Sequence, residues 1–353
     1  MHIPVIALAA GAAAAALSAP QDGDPVIRPL LTFAGPTSAE AWRPVHDRVM
    51  GGVSSGRPSW TGDGVRFSGE LSLENNGGFA SFRTRPAKAL DLSDFDGVRL
   101  RVRGDGRNWK VSLRTGQGRS DHNWQAPFQT RDGEEWQDVI LPFEVFAPTF
   151  HGRYAQTARP LDRSKIQSLE LQVSDGQAGE YRLDVQSFGA WAVDTKGAPP
   201  GSIGARKRRS ESLAKRLAQT PSADSLVETL RWSERVLVVT EPLRRDDYGK
   251  AASIQRGRLL AVLGELAARD IRVIHLLGDR ATMAAGLQLG PNPTAGLRKR
   301  WGLPRGQWSC ALIGKDGGVK KRWSEPFEPR EAFEMIDVMP MRRSEARERV
   351  PGR

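Results

Sequence analysis

The segment Val45–Ser55, VHDRVMGGVSS, carries the side chains of this sequence that are best suited to chemistry. His46 and Asp47 form an ionisable pair that could serve in acid–base catalysis or bind a metal ion. A methionine, two glycines and two serines follow, and they suit an anion-binding turn or a tight structural loop. These four interpretations are all compatible with the segment taken alone.

The histidines give little support to metal or hydrolytic chemistry. The sequence contains His2, His46, His122, His151 and His275. Their spacing matches no zinc motif. Neighbouring residues on a strand point to opposite faces, so neither His46–Asp47 nor Asp121–His122 is expected to chelate an ion alone. We predict no catalytic residue, no cofactor and no transition-metal site, and structural calcium stays open. An enzyme would need a cleft that gathers His46, Asp47, His122 or His151.

Thiol chemistry is excluded more firmly. Cys310 is the single cysteine, so there is no Cys-x-x-Cys motif and no intramolecular disulfide. A thioredoxin-like enzyme needs a reactive thiolate soon after its first strand, at a helix N-terminus. The segment at that place, TEPLRRDDYGKAASIQ, has no cysteine. Cys310 lies inside an apolar run and is predicted to be a buried, inert thiol.

The net charge of +11 is unevenly distributed. The excess of basic residues lies in Lys196–Arg216 and in the half of the chain that follows, whereas the first half is close to neutral. We therefore predict no nucleic-acid partner for the first domain. The basic stretch is predicted to be a solvated hinge that could contact acidic surfaces.

The first nineteen residues are apolar and rich in alanine, with small residues at a plausible cleavage site. They predict a signal peptide and a periplasmic or secreted protein. The run is too short and too weakly apolar for a good membrane span.

The apolar pattern changes period between the two halves of the chain. From Pro29 to Val193 it has period two, as in VRLRVRG and YRLDVQSF, which indicates many short strands and an all-β jelly-roll sandwich. The second half reads strand, helix, strand, helix, hairpin, helix, the order of an α/β thioredoxin-like domain. The predicted boundaries are a signal peptide at 1–19, a jelly roll at 28–193, a basic Pro/Gly linker at 194–224, a thioredoxin-like domain at 225–345 and a basic tail at 346–353.

The aromatic residues of the first half suggest a second possible function. Its tryptophans are Trp42, Trp60, Trp109, Trp124, Trp136 and Trp191. Aromatic faces beside Asn, Gln and Arg suit sugar recognition, and the segment around Trp124, DHNWQAPFQT, has that chemistry. Aromatic residues in a sandwich are more often core. The polar neighbours of Trp124 nevertheless make it a candidate ligand contact. A carbohydrate-binding envelope protein is the alternative function.

Several stretches of the first half, in order, resemble one family. They are AWRPVHDRVMGGVSSG, FSGELSLENNGGFASFRT, WQAPFQT with EEWQDVILPFEVFAPTFHG, and LQVSDGQAGEYRLDV. Together they resemble the complex I intermediate-associated protein family. The resemblance implies a galactose-binding-like jelly roll without established enzymatic activity, and a role in assembling respiratory NADH dehydrogenase.

The resemblance also assigns residues. Asp47 stands in the family pattern, although His46 and Arg48 flank it where the family usually has Asn and Gly. The matching positions are Asp47, Met50, Gly51, Gly52, Ser54, Asn75, Asn76, Gly77, Gly78, Phe79 and Arg83. We expect Asp47 to accept backbone hydrogen bonds within its loop, the glycines to allow turns or close approach, and Met50 to pack inward.

The second half resembles a different family. LIGKDGGVKKRW and EMIDVMPMRRSE are similar to an uncharacterised peroxiredoxin-like domain of some extracellular matrix and sushi-repeat proteins, whose members generally lack peroxidatic cysteines. Together with the predicted signal peptide, the two resemblances predict an exported, non-catalytic binding or assembly factor with a chaperone-like role. Its partner would be a protein, with a membrane complex among the candidates, and the second domain would be a degenerate thioredoxin-like domain.

Overall fold

The computed structural model describes most of the chain in two packed domains. The described residues are 26–33, 35–116, 122–150, 153–155, 161–193, 195–196, 198, 200–219, 221–242, 247–279, 281–284, 287–289 and 291–348. The predicted signal peptide at 1–19 lies outside them. No helix within these ranges is long and apolar enough to cross a bilayer.

The first domain is a β-sandwich. Its described elements are β1 (Val26–Thr32), α1 (Thr37–Glu40), β2 (Arg43–His46), β3 (Ser55–Trp60), β4 (Val65–Leu71), β5 (Ala80–Thr84), β6 (Gly97–Gly104), β7 (Asn108–Arg114), β8 (Asn123–Gln129), β9 (Gln137–Pro142), β10 (Ala147–Phe150), β11 (Arg153–Tyr154), β12 (Ser168–Val173) and β13 (Gly179–Ala192). The described strands form two antiparallel sheets. One has the order β3-β4-β13-β6-β9, with β1 also paired to β13, and the other has the order β11-β10-β8-β7-β12-β5-β2.

Alternation along the strands builds the core between the two sheets. In β6, Val98, Leu100 and Val102 have no exposed surface, while Arg99, Arg101 and Arg103 alternate with them and reach the outer face. The facing sheet contributes Val111, Leu113 and Leu171 to the same cluster. Period two therefore places one apolar side of each strand inward, and the predicted sheet-rich first domain is confirmed.

The second domain is an α/β unit. Its elements are α2 (Ile203–Gln219), α3 (Ala223–Leu230), β14 (Arg235–Glu241), α4 (Asp247–Ala261), α5 (Leu263–Ala268), β15 (Ile271–Leu277), β16 (Ala281–Ala284), β17 (Leu287–Leu289), α6 (Pro291–Trp301), β18 (Ser309–Ile313), β19 (Val319–Trp323), α7 (Pro329–Asp337) and α8 (Pro340–Glu348). The sheet order is β17-β16-β15-β14-β18-β19. β14 is parallel to β15 and antiparallel to β18, and β18 and β19 form the predicted hairpin.

The stretch predicted as a hinge is largely helical. α2 occupies Ile203–Gln219 because Leu213 and Leu217 pack into the second domain's core at helical spacing. Its basic side chains find acidic partners in the chain: Lys207 Nζ lies 2.7 Å from an Asp96 oxygen and Arg206 Nε lies 3.8 Å from a Glu144 oxygen. Ion pairs and buried side chains thus hold this segment against the rest of the chain, whereas its basic composition had predicted a solvated hinge.

Candidate functional site

The carboxylate of Asp47 lies at the centre of the loop that suggested chemistry. The side chain is fully buried, at the first residue of a 3₁₀ turn over Asp47–Met50. Oδ1 accepts a hydrogen bond from the backbone N–H of Ser54 at 3.0 Å. Oδ2 accepts three more, from Ser54 Oγ at 2.5 Å, Gly78 N at 2.8 Å and Phe79 N at 3.3 Å. Asp47 therefore joins two chain segments that are distant in sequence, and its predicted role as an acceptor in the loop is confirmed.

These bonds also set the ionisation of Asp47. Burial by itself raises the pKa of a carboxyl group because it disfavours the charged form. Here the donors from Ser54, Gly78 and Phe79 outweigh that effect, and the pKa of Asp47 lies below its usual value. The carboxylate is thus held charged with its acceptor sites occupied, which suits a structural anchor better than a proton-transfer group.

Two glycines are required because the Asp47 side chain occupies the space where a Cβ would lie. A Cβ on Gly52 would sit 2.4 Å from Cγ of Asp47, and a Cβ on Gly77 would sit 2.7 Å from Oδ2. Real Cβ atoms do not approach that closely, so any larger residue must displace the carboxylate.

Left-handed backbone completes the two turns. Gly51 ends the 3₁₀ turn with φ of +92°, and Asn75 and Asn76 have φ of +53° and +59°. Asparagine tolerates this region better than most residues. The Asn-Asn-Gly-Gly segment therefore forms a tight turn with positive φ. Ser54 adds a further bond, since its Oγ accepts from Ser72 N at 3.0 Å.

The outer surface of the two joined loops carries four exposed apolar side chains beside the polar Arg48, Glu74, Asn75 and Asn76. We call residues 47–54 and 72–79 the Asp47 platform. Val49 is 74% exposed, Met50 53%, Val53 45% and Leu73 43%. The prediction that Met50 packs inward is therefore wrong. The 3₁₀ turn puts Asp47 inside, and the residues one half-turn later point to solvent.

The ionisable residues that could have formed a catalytic cleft do not converge. His46 Nε2 donates to the carbonyl of Gly56 at 3.1 Å, and its ring packs edge-on against Phe82. His122 lies beside Phe150, with the ring centroids 6.1 Å apart. His151 lies outside the described residues. Within the described ranges, no group of three or more His, Cys, Asp or Glu side chains could hold a metal ion.

Arg83 and Trp124, the other predicted contacts, lie away from the platform and on opposite faces of the seven-stranded sheet. Arg83 forms an ion pair with Glu170 on the outer face, with Nη2 2.7 Å from Oε2. Trp124 is paired with Leu113 across β7 and β8, on the inner face, and packs against the core. It shares strand parity with Ala126 and Phe128, a signal that the sequence already contained. Trp124 is therefore not placed as an aromatic platform on the surface.

An open groove of about 640 Å³ follows the outer face of the first domain's other sheet, along β4 and β13. Its lining mixes Arg66 and Arg182 with three carboxylates, Glu70, Asp105 and Glu180. The hydroxyl of Tyr181 at its floor donates to the carbonyl of Ser55 at 2.9 Å. Burial raises the pKa of that phenol, so it is not a base at ordinary pH. The groove shows no nucleophile activated by a neighbouring base.

The second domain contains a buried charged cluster that sequence reasoning missed. Glu241, at the end of β14, accepts from Arg256 Nη2 at 2.6 Å and contacts His275 Nδ1 at 2.5 Å. Burial opposes the charged form of Glu241, but Arg256 and His275 outweigh it and lower its pKa to about 2. A glutamate at the end of a strand with a central apolar run, Val236–Val239, was the available signal. Cys310 has no exposed surface, and burial raises the pKa of its thiol.

A protein-family model matches the part of the chain that contains the two joined loops. The family model described as complex I intermediate-associated protein 30 (CIA30) matches residues 31–185, which include both halves of the Asp47 platform. The first domain is a CIA30 domain. A second model, described as a domain of unknown function (DUF4174), matches residues 226–345. It gives no support to a peroxiredoxin-like or thioredoxin-like identity.

The curated relatives match the CIA30 domain. The mitochondrial complex I intermediate-associated protein 30 of Mus musculus is 32% identical over 146 residues, covering 40% of this chain and 44% of that protein. The Neurospora crassa protein of the same name is 27% identical over 164 residues, covering 41% of this chain and 58% of that protein. The chain thus spans about half the length of these relatives.

These names correct one prediction. We predicted a periplasmic or secreted protein, whereas relatives from Mus musculus, Neurospora crassa and Caenorhabditis elegans are named mitochondrial. The comparison therefore points to mitochondria and contradicts the periplasmic or secreted assignment. An apolar, alanine-rich start does not by itself identify the compartment to which a chain is sent.

Solved structures give a weaker match to the same domain. A family 11 carbohydrate-binding module from Clostridium thermocellum, in complex with a mixed-linked tetrasaccharide, has a TM-score of 0.36 at 16% identity and covers 48% of this chain and 96% of that chain. A family 30 carbohydrate-binding module has a TM-score of 0.33 at 9% identity, with 47% and 98% covered. Values this low transfer no ligand.

Proposed function

We propose that the chain is a non-catalytic assembly factor whose CIA30 domain binds a protein partner through the Asp47 platform. The observation that carries the proposal is the contrast within the platform. Its only buried carboxylate is consumed by four hydrogen bonds from Ser54, Gly78 and Phe79. Its exposed side chains include four large apolar ones, Val49, Met50, Val53 and Leu73, together with the polar Arg48, Glu74, Asn75 and Asn76. An exposed apolar patch on a rigid frame is typical of a protein–protein contact.

The names of the relatives supply the class of partner. They are called complex I intermediate-associated proteins, and an intermediate of that complex is a protein assembly. We infer that the partner of this chain is a subunit or intermediate of a respiratory membrane complex. Val49, Met50, Val53 and Leu73 would contact an apolar surface that later becomes buried within the finished complex, as in a chaperone.

For the second domain we propose a degenerate thioredoxin-like fold without thiol chemistry. The support is the strand pattern: β14 lies between a parallel neighbour, β15, and an antiparallel neighbour, β18, whose hairpin partner is β19. The single cysteine is buried in β18, and burial raises the pKa of its thiol. Such a domain would act by binding.

The test is capture of complex intermediates from native membranes by the tagged full chain. The double variant Val49→Ser/Met50→Ser should reduce capture about tenfold or more, because apolar anchors dominate such contacts. Its unfolding midpoint should be unchanged, since both side chains are more than half exposed.

The matched control is Val338→Ser, which changes an apolar side chain 60% exposed in the second domain. It should leave capture intact. Equal capture by the wild type and the double variant would overturn the proposal, and so would equal losses in the double variant and the control.

A further inference from the structure

The large apolar side chains that the second domain exposes gather at one end of it. Among its described residues they are Trp232, which is 59% exposed, Val338 at 60%, Met341 at 44% and Val319 at 37%. We call the surface formed by residues 231–232, 315–320 and 338–348 the Trp232 surface. Exposed apolar groups that lie close together mark a site of contact with another protein or with a membrane.

Strand register brings the first part of this surface together. Val236, at the start of β14, pairs with Ile313 of β18, and Ile313 pairs in turn with Val319 of β19. The backbone N–H of Trp232 donates to the carbonyl of Lys315, in the same hairpin, at 2.7 Å. The loop before β14 and the turn of the β18–β19 hairpin therefore meet at one edge of the sheet.

The last two helices reach the same edge. Nζ of Lys315 lies 2.8 Å from Oε1 of Glu345, which is about one helical turn after Met341 in α8. Val338 directly follows α7, and the last residue of α7 pairs at 2.7 Å with Arg269, two residues before β15. All four exposed apolar side chains thus border one edge of the sheet.

The backbone of Trp232 has an unusual conformation that presents its ring to solvent. Its φ is +66°, in the left-handed region that bulky side chains rarely adopt. The hydrogen bond to Lys315 holds the backbone in place while most of the side chain stays exposed. Strained backbone of this kind is concentrated at binding sites. The conformation therefore favours a contact role for Trp232 over a role in the core.

The Trp232 surface also carries an excess of positive charge. It contains six basic residues, Arg231, Lys315, Lys320, Arg342, Arg343 and Arg347, and three acidic ones, Asp316, Glu345 and Glu348. Asp316 pairs with Lys320, and Glu345 pairs with Lys315 and lies 3.9 Å from Arg342. Arg231, Arg343 and Arg347 are exposed and form no ion pair with any described residue. The guanidinium of Arg231 lies 5.3 Å from the centre of the Trp232 ring.

We propose that the Trp232 surface docks the second domain onto a bilayer that contains anionic phospholipids. Tryptophan prefers the boundary between headgroups and hydrocarbon, because its ring is apolar and its N–H is polar. Arginines near an anionic bilayer add electrostatic attraction. Unpaired arginines on two separate segments, beside exposed apolar groups, match a continuous anionic surface better than a single carboxylate.

This docking is independent of the Asp47 platform, which lies in the first domain. The chain would rest on the bilayer through the second domain and keep the platform free for its protein partner. Docking would therefore confine the chain to the plane in which a respiratory membrane complex is assembled.

Flotation of the full chain with lipid vesicles tests the proposal. Vesicles of phosphatidylcholine with phosphatidylglycerol should bind the wild type about tenfold or more tightly than vesicles of phosphatidylcholine alone, because the arginines need anionic headgroups. Binding to the anionic vesicles should fall as salt is added. Equal binding to both kinds of vesicle, or binding to neither, would overturn the proposal.

Two variants locate the contact. Trp232→Asn should weaken binding to anionic vesicles about tenfold, since it removes the aromatic ring. Asparagine tolerates left-handed backbone, so the unfolding midpoint should not fall. The double variant Arg343→Gln/Arg347→Gln should weaken binding about tenfold or more through lost charge. Unchanged binding in both variants would contradict the assignment of the contact to this surface.

The matched control is Arg305→Gln. The side chain of Arg305 is 71% exposed and lies near Asp279, which follows the other end of β15. This change should alter vesicle binding by less than about twofold. A loss as large as that of the double variant would show that net charge, not this surface, drives binding.

Capture of complex intermediates in detergent separates this proposal from that of the Asp47 platform. Detergent removes the bilayer, so Trp232→Asn should capture intermediates as well as the wild type does. If Trp232→Asn loses capture in detergent, the surface binds a protein, and the lipid proposal is wrong.

Discussion

Asp47 and Lys110 are both charged residues beside the same seven-stranded sheet, and their surroundings differ in kind: Asp47 has no exposed surface, whereas Lys110 is partly buried. Asp47 receives four hydrogen bonds and its pKa is lowered. Lys110 has one hydroxyl acceptor at 2.8 Å and a second cation nearby, and its pKa is also lowered, which for a lysine means that the charged form is disfavoured. A lowered pKa therefore indicates stabilisation in one place and strain in the other. The surroundings of Asp47 stabilise its charged form, whereas those of Lys110 disfavour the charged form.

Asp47→Ala is the variant with the largest expected effect, because it removes the buried carboxylate of the first region. The change leaves the hydroxyl of Ser54 and the N–H groups of Gly78 and Phe79 without their shared acceptor, so the first domain should lose about 3 to 5 kcal/mol of its free energy of unfolding. Chemical denaturation of the full chain measures it. Asp94→Ala, at an exposed aspartate of the same domain, should change that free energy by less than about 0.5 kcal/mol. Similar losses in both variants would refute the anchoring role.

Gly52→Ala tests the close approach without removing the carboxylate. The new Cβ would lie 2.4 Å from Cγ of Asp47, and Gly52 does not have a left-handed φ, so backbone strain does not confuse the result. The expected cost is about 2 to 3 kcal/mol, the range of overpacking in a tight site. Gly264→Ala in α5, where space is open, should instead be neutral or stabilising by about 0.5 to 1 kcal/mol. If Gly52→Ala leaves the free energy of unfolding unchanged, the loop can move to accommodate the new Cβ, and glycine is not required at position 52.

The pH dependence of stability tests the lowered pKa of Lys110. Because the folded pKa of about 8 lies below the unfolded value, the unfolded chain binds more protons between pH 8 and about 10.5. The penalty of burying the charged lysine is therefore complete below pH 8 and disappears as pH rises through that window. Lys110→Met removes it at every pH. The stability gap between Lys110→Met and wild type should shrink by on the order of 2 kcal/mol from pH 7.5 to 10.5. Denaturant titrations at four pH values, with Lys88→Met as the exposed control, measure the gap; a gap that widens would contradict the lowered pKa of Lys110.

Much of the scaffold could be predicted from the sequence because local pattern determines it. Alternation in VRLRVRG identified β6, and the turn residues between Ile313 and Val319 identified the hairpin of β18 and β19. The role of Asp47 followed from a short acidic side chain beside two glycines, since such side chains commonly accept hydrogen bonds from nearby backbone.

The remaining features depend on long-range packing, which pattern does not encode. Met50 was expected inside, but the 3₁₀ turn rotates it outward. Trp124 was judged by its polar neighbours, although its strand parity places it with Ala126 and Phe128. The basic linker became α2 because its arginines and lysines meet acidic residues far away in the sequence. Gly257 gave no local sign of its close packing, since the side chain that it approaches is that of Asn108, almost 150 residues earlier in the chain.

The most direct test compares the denaturant-derived free energies of unfolding of the wild type, Asp47→Ala and Lys110→Met at pH 7. We predict changes of opposite sign: a loss of about 3 to 5 kcal/mol for Asp47→Ala and a gain of about 1 to 2 kcal/mol for Lys110→Met. If Lys110→Met is less stable than the wild type, or if Asp47→Ala matches the wild type, the contrast between a stabilised carboxylate and a disfavoured ammonium group is wrong.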